Sequence, residues 1–353
     1  MLTVKCDVLI VGGGLEGSLL ARSLHASGQK VVLLDQGRPR DPDQPYDAWV
    51  CSPFLYSSQM WAWIRASRDF WQEVGVLGFR DGAAVAQRES LSWLRLLDCK
   101  ESHQVEAVPL QPGQFAELKL ESDLGSLFME RLSHLKMEGL VSRLWLEMQR
   151  EGVDPYADTQ VTQIDWEHEW PTAVTRDTIF RGRRLILVAG RQTPKLLGQP
   201  VPALEQKHLW LEGCPRLEDR RPVERPALWI HYAKAPLYLW PGAENWGWTR
   251  LWEAPEPVAE RQFLQGVPER WLSCGFDKLA TYDLRLDALS DGQPALDYHP
   301  WRQDCVWLAG LGQTHWPWLP ELVKQLTDPQ LHLPEMLSCR RFSGGPVAAH
   351  ANR

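Results

Sequence analysis

The stretch from Asp7 to Asp35, DVLIVGGGLEGSLLARSLHASGQKVVLLD, constrains the fold more than any other part of the chain. Val8 to Val11 is a short run of branched apolar residues, the pattern of a buried parallel strand. Gly12, Gly14 and Gly17 follow in the spacing G-x-G-x-x-G. Leu15, Leu19, Leu20 and Leu24 then recur at helical spacing, and Gly28 is a stop signal of the C-cap type. KVVLLD reads as a second buried strand ending at Asp35. Each glycine has a mechanical reason. Gly12 permits the tight strand-to-helix turn, Gly14 lets the backbone approach a pyrophosphate, and Gly17 lets the helix lie close to the strand. The helix N-terminus offers unpaired N–H groups and a positive dipole end to phosphates. Asp35 stands where a carboxylate accepts hydrogen bonds from an adenosine ribose.

Two later segments repeat a strand-to-glycine turn ahead of a helical pattern: RLILVAGRQTPKLLG, Arg184 to Gly198, and CVWLAGLGQTHWPWLPELVKQLTD, Cys305 to Asp328. Three such turns, widely separated, predict one nucleotide-binding domain assembled from distant segments. A chain of 353 residues has room for about two domains. The net charge of −7 and the absence of a basic run argue against nucleic acid as a partner. Seven widely spaced cysteines with no C-x-x-C pair argue against a metal site and fit a reducing compartment. No run reaches the roughly 18 apolar residues of a membrane span, so a cytoplasmic protein is expected. The 19 tryptophans against 9 phenylalanines fit a well-filled core, or an aromatic-walled cavity or partner surface.

These blocks, together with EGLVSRLWLEMQREGVDPYADTQVTQID (Glu138 to Asp165), PLYLWPGAENWGWTRLWE (Pro236 to Glu253) and YDLRLDALSDGQPALDYHP (Tyr282 to Pro300), occur in a characteristic order. That order resembles the D-amino acid oxidase family of FAD-dependent oxidoreductases, above all its glycine oxidase and sarcosine oxidase branch. The resemblance implies an α/β fold: a Rossmann-like FAD-binding domain built from discontinuous segments, and an α+β substrate domain with a mixed or antiparallel sheet. Residues 1–80, 136–200 and 286–338 are expected in the first, 81–135 and 201–285 in the second, with 339–353 as a loose tail.

Carried over position by position, the resemblance places FAD against Gly12, Gly14, Leu15, Glu16 and Gly17, and the adenosine ribose on Asp35 with Gln36 beside it. Val161 meets the adenine edge through its backbone. Ala189 and Gly190 pass close to the cofactor, and Gly310, Leu311, Gly312 and Gln313 lie near the flavin ring. Arg285 matches an arginine that forks onto a substrate carboxylate. Tyr238 matches a tyrosine on the substrate side of the sheet, and His315, in the last glycine turn, is the third candidate catalytic residue, expected at the flavin.

The implied activity is oxidation of a C–N bond of an amine or amino acid by hydride transfer to flavin. The family's turn G-H-x-R-x-G reads GLGQTHWPW here, without its arginine. The cysteine that the sarcosine oxidase type carries after this turn for covalent attachment has no counterpart in LPELVKQLTD, so FAD is expected to be non-covalent. Trp49, Cys51, Trp316 and Trp318 are expected to narrow a pocket for small amino acids. The alternative is a flavoprotein that acts on, or assembles with, a partner protein. Homo- and hetero-oligomers are both left open.

Overall fold

The computed structural model describes residues 2–39, 48–50, 53–88, 90–111, 114–115, 118–120, 124–153, 155–198, 203–215, 227–230, 237–241, 246–250, 257–289, 294–311, 313–328 and 333–339. The chain forms two compact units. The first comprises Met1–Pro42, Met137–Glu205 and Leu286–Arg353, and the second Asp43–Lys136 and Gln206–Arg285.

The first unit opens with β1 (Leu2–Val11), α1 (Leu15–Ala26) and β2 (Val31–Leu34). The last four residues of β1 and all of β2 are buried, as their unbroken apolar runs require. In α1, Leu15, Leu19, Leu20 and Leu24 form the buried stripe, and Gly28 turns the chain with φ of 84°. β1 pairs in parallel with β2 on one side and with the strand Thr178–Leu187 on the other. Arg302–Ala309 pairs in parallel with Thr178–Leu187, and Ala295–His299 closes that edge antiparallel. Two short strands, Gln163–Asp165 and Thr172–Val174, bring the described sheet to seven. Four parallel strands therefore end together, at Val11, Leu34, Leu187 and Ala309. A connection between parallel neighbours must cross the sheet, so these ends are where loops and helix N-termini gather.

The helix Leu140–Glu151 buries Leu140, Val141, Leu144, Trp145 and Met148 and ends at Gly152, whose φ is 89°. The stripe that the sequence spacing predicts, Leu140, Val141, Leu144 and Met148, is present, with Trp145 added. It lies along α1: Arg22 pairs with Glu147 at 2.9 Å and with Glu151 at 3.1 Å, and the His25 ring meets the Glu151 carbonyl at 2.9 Å.

The second unit contains a mixed sheet of nine described strands. Most neighbours are antiparallel, but Ala227–Ile230 runs parallel to Leu77–Gln87. Side chains alternate between two buried faces. One face carries Ala84, Ala86, Leu127, Met129, Tyr238 and Trp240 against Phe54 and Leu96. The other carries Val85, Leu228, Leu237, Leu239, Trp246 and Trp248 against Leu264 and Trp271. The tryptophans among these are core residues, whereas Trp301 is 75% exposed.

Two local expectations differ from the structure. The first unit's opening segment closes at Pro42, not at residue 80. Strand Ala48–Val50 pairs with Leu124–Lys136, and Leu77–Gln87 is an interior strand of the second sheet, so this region belongs with that sheet. SSQMWAWIRASRDFWQEVGV, Ser57 to Val76, reads in sequence as one helix with Trp61, Ile64, Phe70 and Trp71 as its stripe, but it forms two, Ser58–Ala66 and Arg68–Glu73, and Ser57 caps the first by accepting from the Met60 N–H. Trp63, which breaks the expected stripe, is buried. The loop Gly37–Asp47 is described only to Pro39, and the tail only to Cys339.

Candidate functional site

A cleft of about 270 Å³ opens at the carboxyl ends of the parallel strands in the first unit. Its floor is Val11 and Gly12 from β1. Leu34, Asp35 and Gln36 form one wall; Val188, Ala189 and Gly190 form another; and Leu308 to Leu311 close the far side. Gly14 and Glu16 come from the start of α1, and Thr159, Gln160 and Val161 from the segment before strand Gln163–Asp165. Of the residues expected at a cofactor, Gly12, Gly14, Glu16, Asp35, Gln36, Val161, Ala189, Gly190, Gly310 and Leu311 are thus brought together, from five separate stretches of chain. Thr159, Gln160, Gln192 and Leu196 line the cleft as well. Sequence reasoning missed them, although Thr159, Gln160 and Gln192 lie within two residues of positions it named and Leu196 within six.

The glycine turn shows why small residues are needed. Gly12 has φ of 115°, and a Cβ there would lie 2.2 Å from the Val188 carbonyl oxygen. A Cβ on Gly17 would lie 1.8 Å from the Gly12 carbonyl oxygen. Gly17 and the Leu15 side chain are buried beneath the turn and do not line the cleft. Gly14 differs: it is exposed, and a Cβ there would meet only a Glu16 carboxylate oxygen, at 3.2 Å. The N-terminus of α1 has no side-chain cap, so its first N–H groups and dipole are directed at the cleft.

Asp35 ties the turn to β2. Its carboxylate accepts from the Gly13 N–H at 2.6 Å and from the Gly37 N–H at 2.8 Å. Each carboxylate oxygen has a second lone-pair site, so the group can hold the turn and accept from a ligand hydroxyl at once. A turn with backbone N–H donors, a helix N-terminus and an adjacent carboxylate fits the pyrophosphate and ribose of a dinucleotide.

The last glycine turn contributes Gly310, with φ of 71°, and Leu311. Gly312 lies outside the described residues, as does the Gln313 side chain. His315 is 3% exposed and is not part of the cleft lining. Its Nδ1 bonds to the Leu311 carbonyl, and its ring packs edge-on against Trp318 at 5.4 Å. The residue expected at the flavin is therefore one that closes the turn carrying Leu311. Trp316 and Trp318 are also buried.

The second unit holds the expected substrate residues. Tyr238 is 1% exposed on strand Leu237–Pro241, opposite Trp229 and Thr249. Its ring lies 6.3 Å from that of Trp240, and the Arg80 guanidinium stands over the Trp240 ring at 4.2 Å. The His134 ring is 5.8 Å from Trp240. Burial, then Arg80 and Lys136, pull the His134 pKa down to about 4, so this imidazole is neutral near pH 7. Burial also lowers the Arg80 pKa, opposed by Tyr238. Sequence reasoning named neither Arg80 nor His134, since an alternating strand gives no sign of which polar residue faces inward. Arg285 lies on strand Phe276–Leu289, with its side chain outside the described ones. Trp49 is on strand Ala48–Val50 and Cys51 lies outside the described residues.

Among the described residues, no group of His, Cys, Asp and Glu side chains is placed to hold a metal, and no helix is long and apolar enough to cross a membrane. Burial raises the thiol pKa of Cys6 to about 12 and drives that of Cys305 upward as well.

Comparison with known proteins bears on this geometry. NikD, an unusual amino acid oxidase essential for nikkomycin biosynthesis, is similar in structure: TM-score 0.78, 14% identity, covering 95% of this chain and 97% of that one. Glycine oxidase from Geobacillus kaustophilus gives a TM-score of 0.69 at 15% identity, covering 95% and 98%. At these identities the likeness is one of fold. The fructose dehydrogenase large subunit of Gluconobacter japonicus is 45% identical over 51 residues, which is 14% of this chain and 9% of that protein. The family described as FAD dependent oxidoreductase (DAO) matches residues 7–322, which include all of the second unit and most of the first. The chain belongs to this family of FAD-dependent oxidoreductases, and FAD is its cofactor.

Proposed function

We propose that the protein oxidises the C–N bond of an amine or amino acid. The observation that carries this reading is the cleft: ten of the residues expected to meet FAD line it together, in a chain of this family. In this reading the first unit holds FAD without a covalent link, and the second holds the substrate. When bound, FAD supplies the two-electron acceptor for a C–H bond beside nitrogen. The protein's part is to bind and orient. Gly12, Gly14, Glu16 and the start of α1 hold the pyrophosphate, with Gly17 keeping the helix seated. Asp35 and Gln36 hold the adenosine ribose, and the Val161 backbone meets the adenine. Ala189, Gly190, Gly310 and Leu311 approach the remainder.

Arg285 is the proposed anchor for a substrate carboxylate, and Tyr238 the proposed edge of its pocket. A neutral amine can react without a side-chain base, so no general base is assigned. The similar structures named for amino acid and glycine oxidation favour a small amino compound over a partner protein as substrate. Cys6, Cys99 and Cys305 are free thiols, which fits the cytoplasm as the proposed location.

The test is anaerobic. The yellow holoenzyme is mixed with a panel of amino acids, N-methyl amino acids and bulky amines, and flavin bleaching is followed at its visible band. Bleaching by a member of the panel supports the reading. A flavin that none of them bleaches, in a protein that retains a partner through purification, would favour the rival.

A further inference from the structure

Trp145 sits at the centre of a buried network that no part of the glycine motif announces. It is 3% exposed, and it belongs to the helix clamped along α1 by Arg22. Its indole N–H lies 3.0 Å from the Gly13 carbonyl oxygen and 3.1 Å from Ser18 Oγ. Ser18 in turn lies 2.7 Å from the Gly14 carbonyl oxygen. The indole also fills the space beside Gly13: a Cβ there would lie 2.5 Å from the ring and 2.8 Å from the Asp35 Cβ. Gly13 is thus held at both ends, its N–H by Asp35 at 2.6 Å and its carbonyl by Trp145.

In a trans peptide the C=O of one residue and the N–H of the next point in opposite directions. Drawing the Gly13 carbonyl inward therefore turns the Gly14 N–H outward, to the side where Gly14 lines the cleft. Drawing the Gly14 carbonyl toward Ser18 does the same for the Leu15 N–H. These are the donors that a helix N-terminus offers to an anion.

We propose that Trp145 is a positioning residue for the pyrophosphate of the cofactor: its indole N–H fixes the Gly13 peptide so that the Gly14 N–H is aimed into the cleft before FAD arrives. The proposal rests on the assignment of FAD to this cleft. It also explains why the middle position of the motif is glycine, since any side chain at Gly13 would displace the indole.

The test is Trp145→Phe, which removes the donor and keeps most of the ring. FAD affinity of the apoprotein is expected to fall about tenfold, the scale of one buried hydrogen bond. ADP, which carries the pyrophosphate, is expected to lose the same factor, and adenosine, which does not, to keep its affinity. The phosphorus NMR resonances of bound FAD are expected to move. Unchanged FAD affinity with unmoved resonances would overturn the proposal. So would an equal loss for adenosine, which would mean that Trp145 merely supports the whole cleft. Should Trp145→Phe fail to fold, Ser18→Ala removes the hydroxyl sharing the same network. A smaller loss in the same direction supports the proposal, and no loss with unmoved resonances overturns it. A wild-type protein that bound neither FAD nor ADP would overturn the cofactor assignment itself, which sets that failure apart.

Discussion

Gly17 rests on Gly12 so closely that a Cβ on the first would stand 1.8 Å from the carbonyl oxygen of the second. Backbone atoms cannot step aside as a flexible side chain can. Gly17→Ala is therefore expected to destabilise the apoprotein by about 3 kcal/mol, the upper range for overpacking. Gly14→Ala meets only the end of Glu16 and is expected to stay within about 1 kcal/mol, the scale of a changed N-cap. Yet it is expected to weaken FAD binding at least about tenfold, because its methyl group occupies cleft space. Chemical denaturation of the apoprotein and FAD titration measure the two effects separately. A fully loaded Gly14→Ala protein would contradict the cleft assignment.

Asp35 joins the glycine turn to β2 through two charge-assisted hydrogen bonds. Asp35→Asn keeps the shape but turns one acceptor oxygen into a donor that faces an N–H. A loss of about 1.5–3 kcal/mol in apoprotein stability is expected, with weaker FAD binding alongside. Thermal unfolding without cofactor checks the first part, and an unchanged midpoint would mean that the turn does not depend on the carboxylate.

His134 gives the second unit an acid-sensitive core. Its pKa falls from about 6.5 when unfolded to about 4 when folded. Between those values the unfolded chain binds the extra proton, so the His134 contribution is full above pH 6.5 and is lost as pH drops toward 4. At roughly 1.4 kcal/mol per unit the change amounts to about 2–4 kcal/mol. His103 and His299, whose pKa values burial also lowers, act in the same direction. Unfolding free energy measured from pH 7 to pH 4 should decline less steeply in His134→Gln than in the wild type. Parallel curves would refute it.

Arg285, as the proposed carboxylate anchor, makes a claim on substrate binding. Arg285→Ala is expected to weaken a carboxylate-bearing substrate or competitive inhibitor by about 2–5 kcal/mol. A neutral amine lacking the carboxylate should be affected far less. Equal effects on both, from steady-state KM and kcat/KM, would place Arg285 outside the substrate site.

Cys6 and Cys305 are buried, with thiol pKa values raised by that burial. Thiolate, not thiol, is the nucleophile. Both are expected to resist iodoacetamide at pH 8 in the native protein and to react once it is denatured, with mass mapping as the readout. The half-buried Cys99 is expected to react earlier.

The parts of this fold that sequence reveals are those governed by local pattern. β1, the glycine turn, α1 and β2 follow from apolar runs, helical spacing and glycines whose tasks are set by near neighbours. Val161, Ala189 and Gly310 were found because each sits in a short motif. Gly13 was passed over because it holds the variable position of the motif. Its constraint comes from Trp145, 132 residues away, and no local rule reaches that far. His315 looked like a group facing the cofactor because of its place in a turn, but which way the ring points was decided by the Leu311 carbonyl and Trp318. The break at Ser67 was hidden because the helical spacing runs on through it. The boundary at Pro42 depends on which sheet the strand Ala48–Val50 joins, a long-range choice.

The interleaving of strands sets a timetable for synthesis. β1 leaves the ribosome early, but its neighbour on one side, Thr178–Leu187, must wait for the whole intervening stretch. At 5–20 residues per second that delay is roughly 10–30 s. Through it, an apolar edge of nascent chain has no partner and is open to misassociation. The strand Arg302–Ala309, which completes the sheet beyond it, comes later still. Cofactor loading is thus a late event, because Leu308 to Leu311, which close the far side of the cleft, are the last of its walls to be made.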